Sequence, residues 1–126
     1  MIEKRVYYKD TDAGGVVYYA NYLGFLEIAR TEFLRKKGIN IEEYAERGIL
    51  FVVTNVNISY NAPARYGDII QIETDLSELK RASLVFSHKI FNKKDQHKLI
   101  SAEIKLCSIN KQNKPIPLPK DFANKI

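Results

Sequence analysis

Two aspartates and a pair of glycines lie just ahead of a mostly apolar, helix-like stretch near the start of the sequence. Asp10, Asp12, Gly14 and Gly15 are followed by the apolar pattern of residues 19–37. The N-terminus of a helix carries unpaired backbone N–H groups and the positive end of the helix dipole, so it can polarise a carbonyl oxygen beside a reactive carboxylate. This spacing makes Asp12 the first candidate for a catalytic residue.

The same residues also have a purely structural interpretation. An isolated Asp-x-Asp before a helix more often shapes a turn or caps the helix, because its carboxylates accept hydrogen bonds from backbone N–H groups. Gly14 and Gly15 are not followed by the Lys-Ser or Lys-Thr pair of a phosphate-binding loop. They favour a tight turn or a close approach of the backbone to a substrate. These residues alone leave a catalytic and a structural role open.

The composition is typical of one globular domain. A chain of 126 residues with 45% hydrophobic residues predicts a single domain over residues 1–126, which buries roughly two thirds of the surface of its unfolded chain. The single cysteine, Cys107, excludes an internal disulfide and a multi-cysteine metal site. No stretch approaches the roughly 20 apolar residues of a membrane span, and residues 1–8 contain no signal-peptide pattern. We expect a cytoplasmic protein without an integral membrane segment.

The net charge of +5 is distributed unevenly along the chain. Residues 1–79 carry 9 Lys or Arg against 12 Asp or Glu, whereas residues 80–126 carry 11 against 3. A cluster of cations suits a nucleic acid, an anionic lipid or a small molecule that carries phosphates. A lysine-rich, solvated surface explains the same composition equally well.

The spacing of apolar residues predicts a first strand at residues 2–8 and a long helix at 19–37. The helix shows apolar residues at i, i+3, i+4 and i+7, and Gly38 is well placed to end it. We expect the first half of this helix to be buried nearly all round. A shorter helix is predicted at 41–47, and three prolines predict an extended, irregular segment at 114–120.

Four further segments alternate apolar and polar residues with a period of two. This pattern predicts the strands of an antiparallel sheet that packs one face on a core. The residues expected on the inner face are Leu50, Val52, Val56, Ile58 and Tyr60, then Ile70, Ile72 and Leu76, then Leu84, Phe86 and Ile90, and finally Ile100, Ala102, Ile104 and Leu106.

Three motifs resemble the acyl-CoA thioesterases of the 4-hydroxybenzoyl-CoA thioesterase family, most of all its YbgC-like branch. They are YKDTDAGGVVYYANY at 8–22, EIARTE at 27–32 and NAPARYGD at 61–68. The likeness extends from about residue 6 to 108. It implies an α+β hotdog fold, in which a five-stranded antiparallel sheet wraps a long central helix. It also implies an acyl-CoA substrate, no metal or redox cofactor, and a homodimer or homotetramer.

The resemblance assigns the chemistry to Asp12 and Tyr19. The matching acid of the family is a nucleophile or general base on the thioester carbonyl, and a carboxylate ionised at neutral pH needs no prior activation. The family places the carbonyl oxygen near the backbone N–H of Tyr19. Many YbgC-like sequences have His here, and a phenol donates hydrogen bonds at neutral pH but is a poor base. We expect Asp12 to act without a histidine and the Tyr19 side chain to be a core aromatic on the inner face of the helix.

Three further residues are predicted to contact the substrate. Ser83 begins a strand where the family has Ser or Thr near the thioester. Lys93 and Lys94, together with Lys98, lie in a polar loop, and their ammonium groups could hold the phosphates of CoA as point charges.

Three other candidates have a simpler explanation. Glu27 is a helix carboxylate like those used by another group of hotdog thioesterases, but such a residue is more often an ion-pair partner. His88 and His97 have no companion ligands at the spacing of a metal site. We expect both histidines to be structural or solvated, and no metal ion to be bound.

Two other classes of protein fit part of the pattern. A non-catalytic module that binds acyl-CoA or an acyl carrier protein would keep the fold and the basic third of the chain. A nucleic-acid-binding protein would also be basic, but this sequence has no recognised motif of that class. A panel of acyl-CoAs with detection of the released thiol separates these alternatives, and the preferred acyl chain stays open.

Overall fold

The computed structural model of the chain describes all residues from 1 to 126. The strands and helices follow in the order β1 (Ile2–Arg5), α1 (Asn21–Lys36), α2 (Ile41–Glu46), β2 (Leu50–Tyr60), β3 (Ile69–Leu79), β4 (Ser83–Asn92), β5 (Lys98–Ile109) and α3 (Lys120–Lys125). The five strands form one antiparallel sheet in the order β1-β3-β4-β5-β2. No helix is long and apolar enough to cross a membrane.

The long helix α1 packs on one face of this sheet and closes the hydrophobic core. Its side chains Leu26, Ala29 and Leu34 are buried and belong to one cluster with the inward-facing residues of β3, β4 and β5. The ring of Phe33 meets the ring of Phe86 edge-on at 5.7 Å. The α+β architecture predicted from the sequence, a long helix with a five-stranded antiparallel sheet, is confirmed.

The start of α1 differs from the prediction. The helix begins at Asn21, two residues later than the apolar pattern indicated, and Tyr19 lies outside it with 61% of its surface exposed. The expectation that the Tyr19 side chain is a core aromatic is therefore wrong. Leu23 and Ile28 are also 39% and 45% exposed, so the first half of α1 is buried on one side only. Apolar content alone does not distinguish a core-facing position from an exposed apolar surface.

A β-bulge in β2 reverses the expected faces of its first residues. Val53 pairs with Leu106 and Asn55 pairs with Lys105, so Thr54 has no opposite residue in β5. One extra residue inverts the alternation of side chains. Phe51 and Val53 consequently share the inner face with Val56, and the prediction that Leu50 and Val52 do so is wrong.

The segment after β5 is irregular up to Pro119, as predicted, but a short helix follows it. Phe122 of α3 is fully buried and packs against the rings of Tyr44 and Phe51 at 5.6 and 5.1 Å. Asp121 accepts hydrogen bonds from Tyr44 and Arg47. This helix was not predicted, because a single apolar residue shows no periodicity.

Candidate active site

Asp12 lies in a tight turn whose backbone is closed by its own hydrogen bonds. The Asp12 N–H donates to the carbonyl oxygen of Val16 at 2.9 Å, and the Gly15 N–H donates to the carbonyl oxygen of Asp12 at 3.0 Å. The carboxylate is exposed, and its Oδ1 accepts the N–H of Gly14 at 2.8 Å. Its Oδ2 has no protein partner. The turn therefore fixes one oxygen of the carboxylate and leaves the other available to a substrate or to water.

The glycine pair allows this turn. Gly15 has a φ of +81°, in the left-handed region that favours glycine. A Cβ atom on Gly14 would lie 3.2 Å from the Oδ1 of Asp12, which is a tight contact. The two glycines fit the tight turn that the sequence predicted, and Gly14 leaves room for the carboxylate.

Asp10 has a different environment from Asp12. Only 4% of its surface is exposed, and its carboxylate accepts the backbone N–H of Tyr7 at 2.9 Å. Lys9 and Lys4 approach the same carboxylate at 3.5 and 4.0 Å. The structural role that the sequence left open for both acids fits Asp10, whereas Asp12 is the accessible one.

The backbone of Asp10 connects the Asp12 turn to the start of α1. Its carbonyl oxygen accepts the N–H of Tyr18 at 2.9 Å and the side-chain amide of Asn21 at 3.0 Å. The carbonyl oxygen of Tyr18 in turn accepts the N–H of Asn21 at 2.9 Å. These bonds hold residues 10–21 as one unit, with the exposed Asp12 near one end and the helix N-terminus at the other.

The backbone N–H groups of Tyr19 and Ala20 have no protein acceptor. They directly precede the first turn of α1, where further N–H groups and the helix dipole favour negative charge. Free donors in this position can bind a carbonyl oxygen or an oxyanion. The phenol ring of Tyr19 lies at the surface, 4.9 Å from the ring of Tyr18 and 6.4 Å from that of Tyr60.

The loop of residues 61–68 packs directly against the Asp12 turn. The Val17 N–H donates to the carbonyl oxygen of Ala64 at 2.9 Å, and Val16 forms an isolated bridge with Arg65. The Ala64 N–H donates to the hydroxyl oxygen of Tyr22 on α1 at 3.3 Å. Burial raises the pKa of the Tyr22 phenol, so this hydroxyl stays neutral. The first and third sequence motifs are therefore neighbours in space.

A basic cleft of about 640 Å³ opens beside the same loop. It is lined by Arg5, Tyr66, Gly67, Asp68, Ile69, Asn92, Lys93 and Lys94. The Nζ of Lys93 pairs with Glu3 at 2.9 Å, and Arg5 donates to the carbonyl oxygen of Gly67 at 2.9 Å. The ammonium group of Lys94 has no protein partner. The structure thus brings Lys93 and Lys94 together with Arg5 on the side of the 61–68 loop, whereas Lys98 does not line this cleft.

Ser83 lies away from this group of residues. It is the first residue of β4, and Lys93 follows the last residue of the same strand. Ten residues of strand separate the two ends, which corresponds to roughly 30 Å. Within one chain the structure does not bring Ser83 to the Asp12 turn.

The remaining sequence candidates lie outside the Asp12 turn. Glu27 is exposed on α1 and accepts the hydroxyl of Thr31 at 3.2 Å. His88 is buried in the core, where its Nδ1 meets the hydroxyl of Thr74 at 2.9 Å, and His97 is exposed in the loop between β4 and β5. No group of three or more His, Cys, Asp or Glu side chains is placed to hold a metal ion.

The sequence did not indicate a role in the candidate site for Asn21 or Tyr60. The Tyr60 hydroxyl donates to the carbonyl oxygen of Tyr19 at 3.1 Å. Asn21 lies within the first motif, so its position was a usable signal. Tyr60 ends β2, 41 residues from its partner, and no local pattern indicates this contact.

Comparison with known proteins places the chain in a family. A family model described as the thioesterase-like superfamily matches residues 6–126. The acyl-CoA thioester hydrolase YbgC of Escherichia coli O6:H1 is 40% identical over 119 residues, with 94% of this chain and 89% of that protein covered. The acyl-CoA thioesterase YbgC of Haemophilus influenzae is 39% identical over 119 residues, with 93% of this chain and 86% of that protein covered.

A solved structure extends this likeness to the fold. The 4-hydroxybenzoyl CoA thioesterase from Pseudomonas sp. strain CBS-3 superposes with a TM-score of 0.90 at 25% identity, covering 99% of this chain and 96% of that chain. The hotdog fold and the likeness to YbgC-type thioesterases, both predicted from the motifs, are confirmed. On the family match and the near-complete coverage of its relatives, this chain belongs to the thioesterase-like superfamily.

Proposed function

We propose that this protein hydrolyses the thioester bond of acyl-CoA to a free acid and CoA, with the Asp12 carboxylate as nucleophile or general base. The relatives reported above carry the names of acyl-CoA thioesterases. One observation supports the mechanism most directly. The exposed Asp12 carboxylate lies on a turn that is hydrogen-bonded to the start of α1, where the N–H of Tyr19 is free.

The reaction uses the two oxygens of Asp12 differently. Oδ1 is held by the Gly14 N–H, whereas Oδ2 is free either to attack the thioester carbon or to take a proton from an attacking water. The carbonyl oxygen becomes negatively charged as the tetrahedral intermediate forms. The Tyr19 N–H and the dipole of α1 stabilise this charge, which is typically worth a few kcal/mol. The C–S bond then breaks, and the CoA thiolate leaves and takes up a proton. On the general-base route this releases the free acid directly, and the proton that Asp12 took from water passes to the thiolate or the solvent. On the nucleophilic route the acyl group stays on Asp12 as an anhydride, which a water molecule hydrolyses to the free acid and the aspartate.

The basic cleft is the proposed site for the nucleotide of CoA. Lys94 contributes an ammonium group without a protein partner, and Lys93 and Arg5 add two more cations beside it. Several phosphates on one ligand favour such a cluster of fixed positive charges. The substrate contact predicted for Ser83 has no comparable support in one chain and stays a prediction.

We further propose that the protein forms a homodimer or homotetramer. Strand β2 lies at the edge of the sheet, and the hydrogen-bonding groups along its outer side are unpaired. Its residues Val53, Val56 and Tyr60 point to the same face of the sheet as the core residues of β5, but at this edge their side chains are exposed. Long edge strands with apolar side chains are usually covered in native proteins. A second copy of the chain is the proposed cover, and a cytoplasmic location stays a prediction.

The proposed function is tested by comparing the wild-type protein with Asp12→Asn on a panel of acyl-CoAs, with a thiol-reactive chromophore to detect free CoA. Wild type should hydrolyse part of the panel. Asp12→Asn should fold normally and lose at least about 100-fold in kcat. The control Asp75→Asn changes an exposed acid on β3 that has no hydrogen-bonded partner, and should leave kcat unchanged.

Each alternative gives a different result in this experiment. Wild-type turnover by Asp12→Asn would refute the role of Asp12. Binding of acyl-CoA without hydrolysis by the wild-type protein would indicate a non-catalytic binding module. Hydrolysis of acyl groups on an acyl carrier protein, but not on CoA, would identify the carrier protein as the partner.

A further inference from the structure

The side chain of Tyr60 connects the edge strand β2 to the candidate oxyanion site. Its hydroxyl donates to the carbonyl oxygen of Tyr19 at 3.1 Å. Its ring lies edge-on to the ring of Tyr19 at 6.4 Å and to that of Tyr22 at 5.8 Å. The two ring contacts limit the rotation of Tyr60, so its hydroxyl is held against the Tyr19 backbone.

The hydrogen bond from Tyr60 completes the fixing of the backbone around Tyr19. The peptide group before Tyr19 is held because the carbonyl oxygen of Tyr18 accepts the N–H of Asn21 at 2.9 Å. The peptide group after Tyr19 has one protein partner on its carbonyl oxygen, which is the Tyr60 hydroxyl. Peptide groups are planar, so fixing the groups on both sides of a residue fixes its two rotatable backbone angles. The Tyr19 N–H shares its planar peptide group with the Tyr18 carbonyl, so the bond from Asn21 sets its direction, whereas the Tyr60 bond sets the direction of the free Ala20 N–H, which shares a peptide group with the Tyr19 carbonyl.

A donor that is already aimed stabilises an oxyanion without reorganisation during the reaction. A donor that must first be ordered contributes less, since small displacements of catalytic groups reduce rates strongly. Tyr60 uses its only hydroxyl proton on the Tyr19 carbonyl, so it acts on the backbone of the site.

We propose that Tyr60 is a positioning residue for thioester hydrolysis, which orients the Ala20 N–H toward the carbonyl oxygen of the substrate through its hydrogen bond to the Tyr19 carbonyl of the same peptide group. This role rests on the proposed function, because it requires the two free N–H groups ahead of α1, those of Tyr19 and Ala20, to bind the oxyanion together. It assigns a task in the reaction to the edge strand β2, which is remote in sequence from the Asp12 motif.

The first test compares two substitutions that each remove one phenol hydroxyl. Tyr60→Phe deletes the bond to Tyr19 and keeps both ring contacts. Tyr44→Phe is the matched control, because it deletes a 3.0 Å hydrogen bond to Asp121 near the opposite end of β2. Tyr60→Phe should lower kcat by about tenfold, with KM and the melting temperature unchanged. Tyr44→Phe should lower the melting temperature and leave kcat unchanged.

The second test measures the polarisation of the substrate carbonyl directly. An acyl-CoA labelled with ¹³C at the thioester carbonyl is bound to Asp12→Asn, whose expected low turnover leaves time to record the bound substrate. Its carbonyl stretch should shift to lower frequency than in free acyl-CoA, and the shift should be smaller in the Asp12→Asn/Tyr60→Phe double variant. The two variants should bind the labelled substrate with equal affinity.

The outcomes separate this proposal from the function on which it rests. If wild type hydrolyses acyl-CoA and Tyr60→Phe has the same kcat and the same carbonyl shift, the role of Tyr60 is refuted and the enzyme assignment stands. A loss of kcat that accompanies an equal loss of stability also refutes it. If wild type hydrolyses no thioester at all, the proposed function itself fails.

Discussion

The side-chain amide of Asn21 donates a hydrogen bond of 3.0 Å to the carbonyl oxygen of Asp10. The same carbonyl oxygen accepts the backbone N–H of Tyr18 at 2.9 Å. Asn21 is the first residue of α1, so the turn that carries Asp12 cannot move relative to the helix without breaking these bonds. The accessible acid and the free N–H groups before the helix are therefore held in a fixed relation, which is what a preorganised acyl-transfer site requires.

Substitution of Asp10 by Asn should affect stability more than chemistry. The buried carboxylate accepts the Tyr7 N–H and lies near Lys4 and Lys9. An amide in its place loses the charge and brings N–H donors toward the two lysines, so we expect a loss of about 1–3 kcal/mol in the free energy of unfolding. Urea unfolding should show this loss, while kcat falls much less than in Asp12→Asn. If Asp10→Asn proved as stable as wild type and as inactive as Asp12→Asn, Asp10 would take part in the reaction.

An alanine at position 14 should displace the carboxylate of Asp12. The new Cβ atom would lie 3.2 Å from the Oδ1 of Asp12, so the carboxylate must shift by a few tenths of an ångström. We expect Gly14→Ala to lower kcat by about tenfold, because such displacements weaken catalysis.

The matched control for this substitution is Gly24→Ala. Gly24 lies inside α1, and a Cβ atom there meets no other atom within 4 Å. Alanine should stabilise the helix by about 0.5–1 kcal/mol and leave kcat unchanged. Equal kcat values for Gly14→Ala and wild type would show that the position of Oδ1 is unimportant.

Charge reversal in the basic cleft should weaken the binding of CoA. Lys94→Glu should raise KM for acyl-CoA by about tenfold at low salt, and added salt should reduce the difference because it screens exposed charges. Lys93→Glu should have a smaller effect, since Lys93 already pairs with Glu3. Lys111→Glu, in the turn after β5, is the control and should not change KM.

An acyl-pantetheine substrate sharpens this experiment, because it keeps the thioester and lacks the nucleotide. Lys94→Glu and wild type should have the same kcat/KM for it. An unchanged KM for acyl-CoA in both Lys93→Glu and Lys94→Glu would refute the nucleotide site.

The buried His88 should make the protein less stable as the pH falls below neutrality. Burial, and secondarily the charge of Arg30, lower the pKa of His88 from 6.5 to about 4. The unfolded chain therefore binds a proton near pH 6.5, whereas the folded protein does so only near pH 4. The free energy of unfolding should fall by up to about 3 kcal/mol between these values and change no further through His88 below pH 4.

Urea unfolding between pH 7 and 4 tests this prediction. His88→Gln keeps a partner for the Thr74 hydroxyl but cannot titrate, so its stability should depend less on pH in this range. His97→Gln removes an exposed imidazole and should retain the wild-type pH dependence. Identical pH profiles for His88→Gln and wild type would show that His88 is not held neutral in the core.

Truncation of Phe122 should destabilise the fold without changing the chemistry. The ring is fully buried against Tyr44 and Phe51, so Phe122→Ala should cost about 3–5 kcal/mol. This cluster lies near the start of β2, whereas Tyr60 ends that strand. We expect a lower melting temperature and an unchanged kcat below the transition, with Lys120→Ala as an exposed control. A parallel loss of kcat at low temperature would connect α3 to the active site.

The sequence predicted those parts of the fold in which local pattern and tertiary contacts agree. Strands β3, β4 and β5 and the middle of α1 follow their apolar periodicity. Long-range contacts decided the exceptions. The bulge at Thr54 depends on pairing with β5, and the burial of Phe122 depends on α2 and β2, so neither has a local signal.

The candidate site was predictable to a similar extent. The glycine pair indicated the tight turn at Asp12, and the charge asymmetry indicated a basic surface at Lys93 and Lys94. Arg5 joins these lysines only because β1 and β4 both pair with β3. The exposed position of Tyr19 follows from the bonds of its neighbours Tyr18 and Asn21 to Asp10 and from its own bond to Tyr60, and no pattern within 19–37 contains these contacts.

The bulge at Thr54 also bears on how this strand can vary in length. Val53 and Asn55 face residues of β5 that are themselves adjacent, Leu106 and Lys105. Deleting Thr54 would make Val53 and Asn55 neighbours, and their side chains already point to opposite faces of the sheet, as those of adjacent strand residues do. Every pairing between β2 and β5 would keep its register. A one-residue gap at this point in an alignment of relatives would mark the loss of a bulge, and the residues on both sides of the gap would remain equivalent in space.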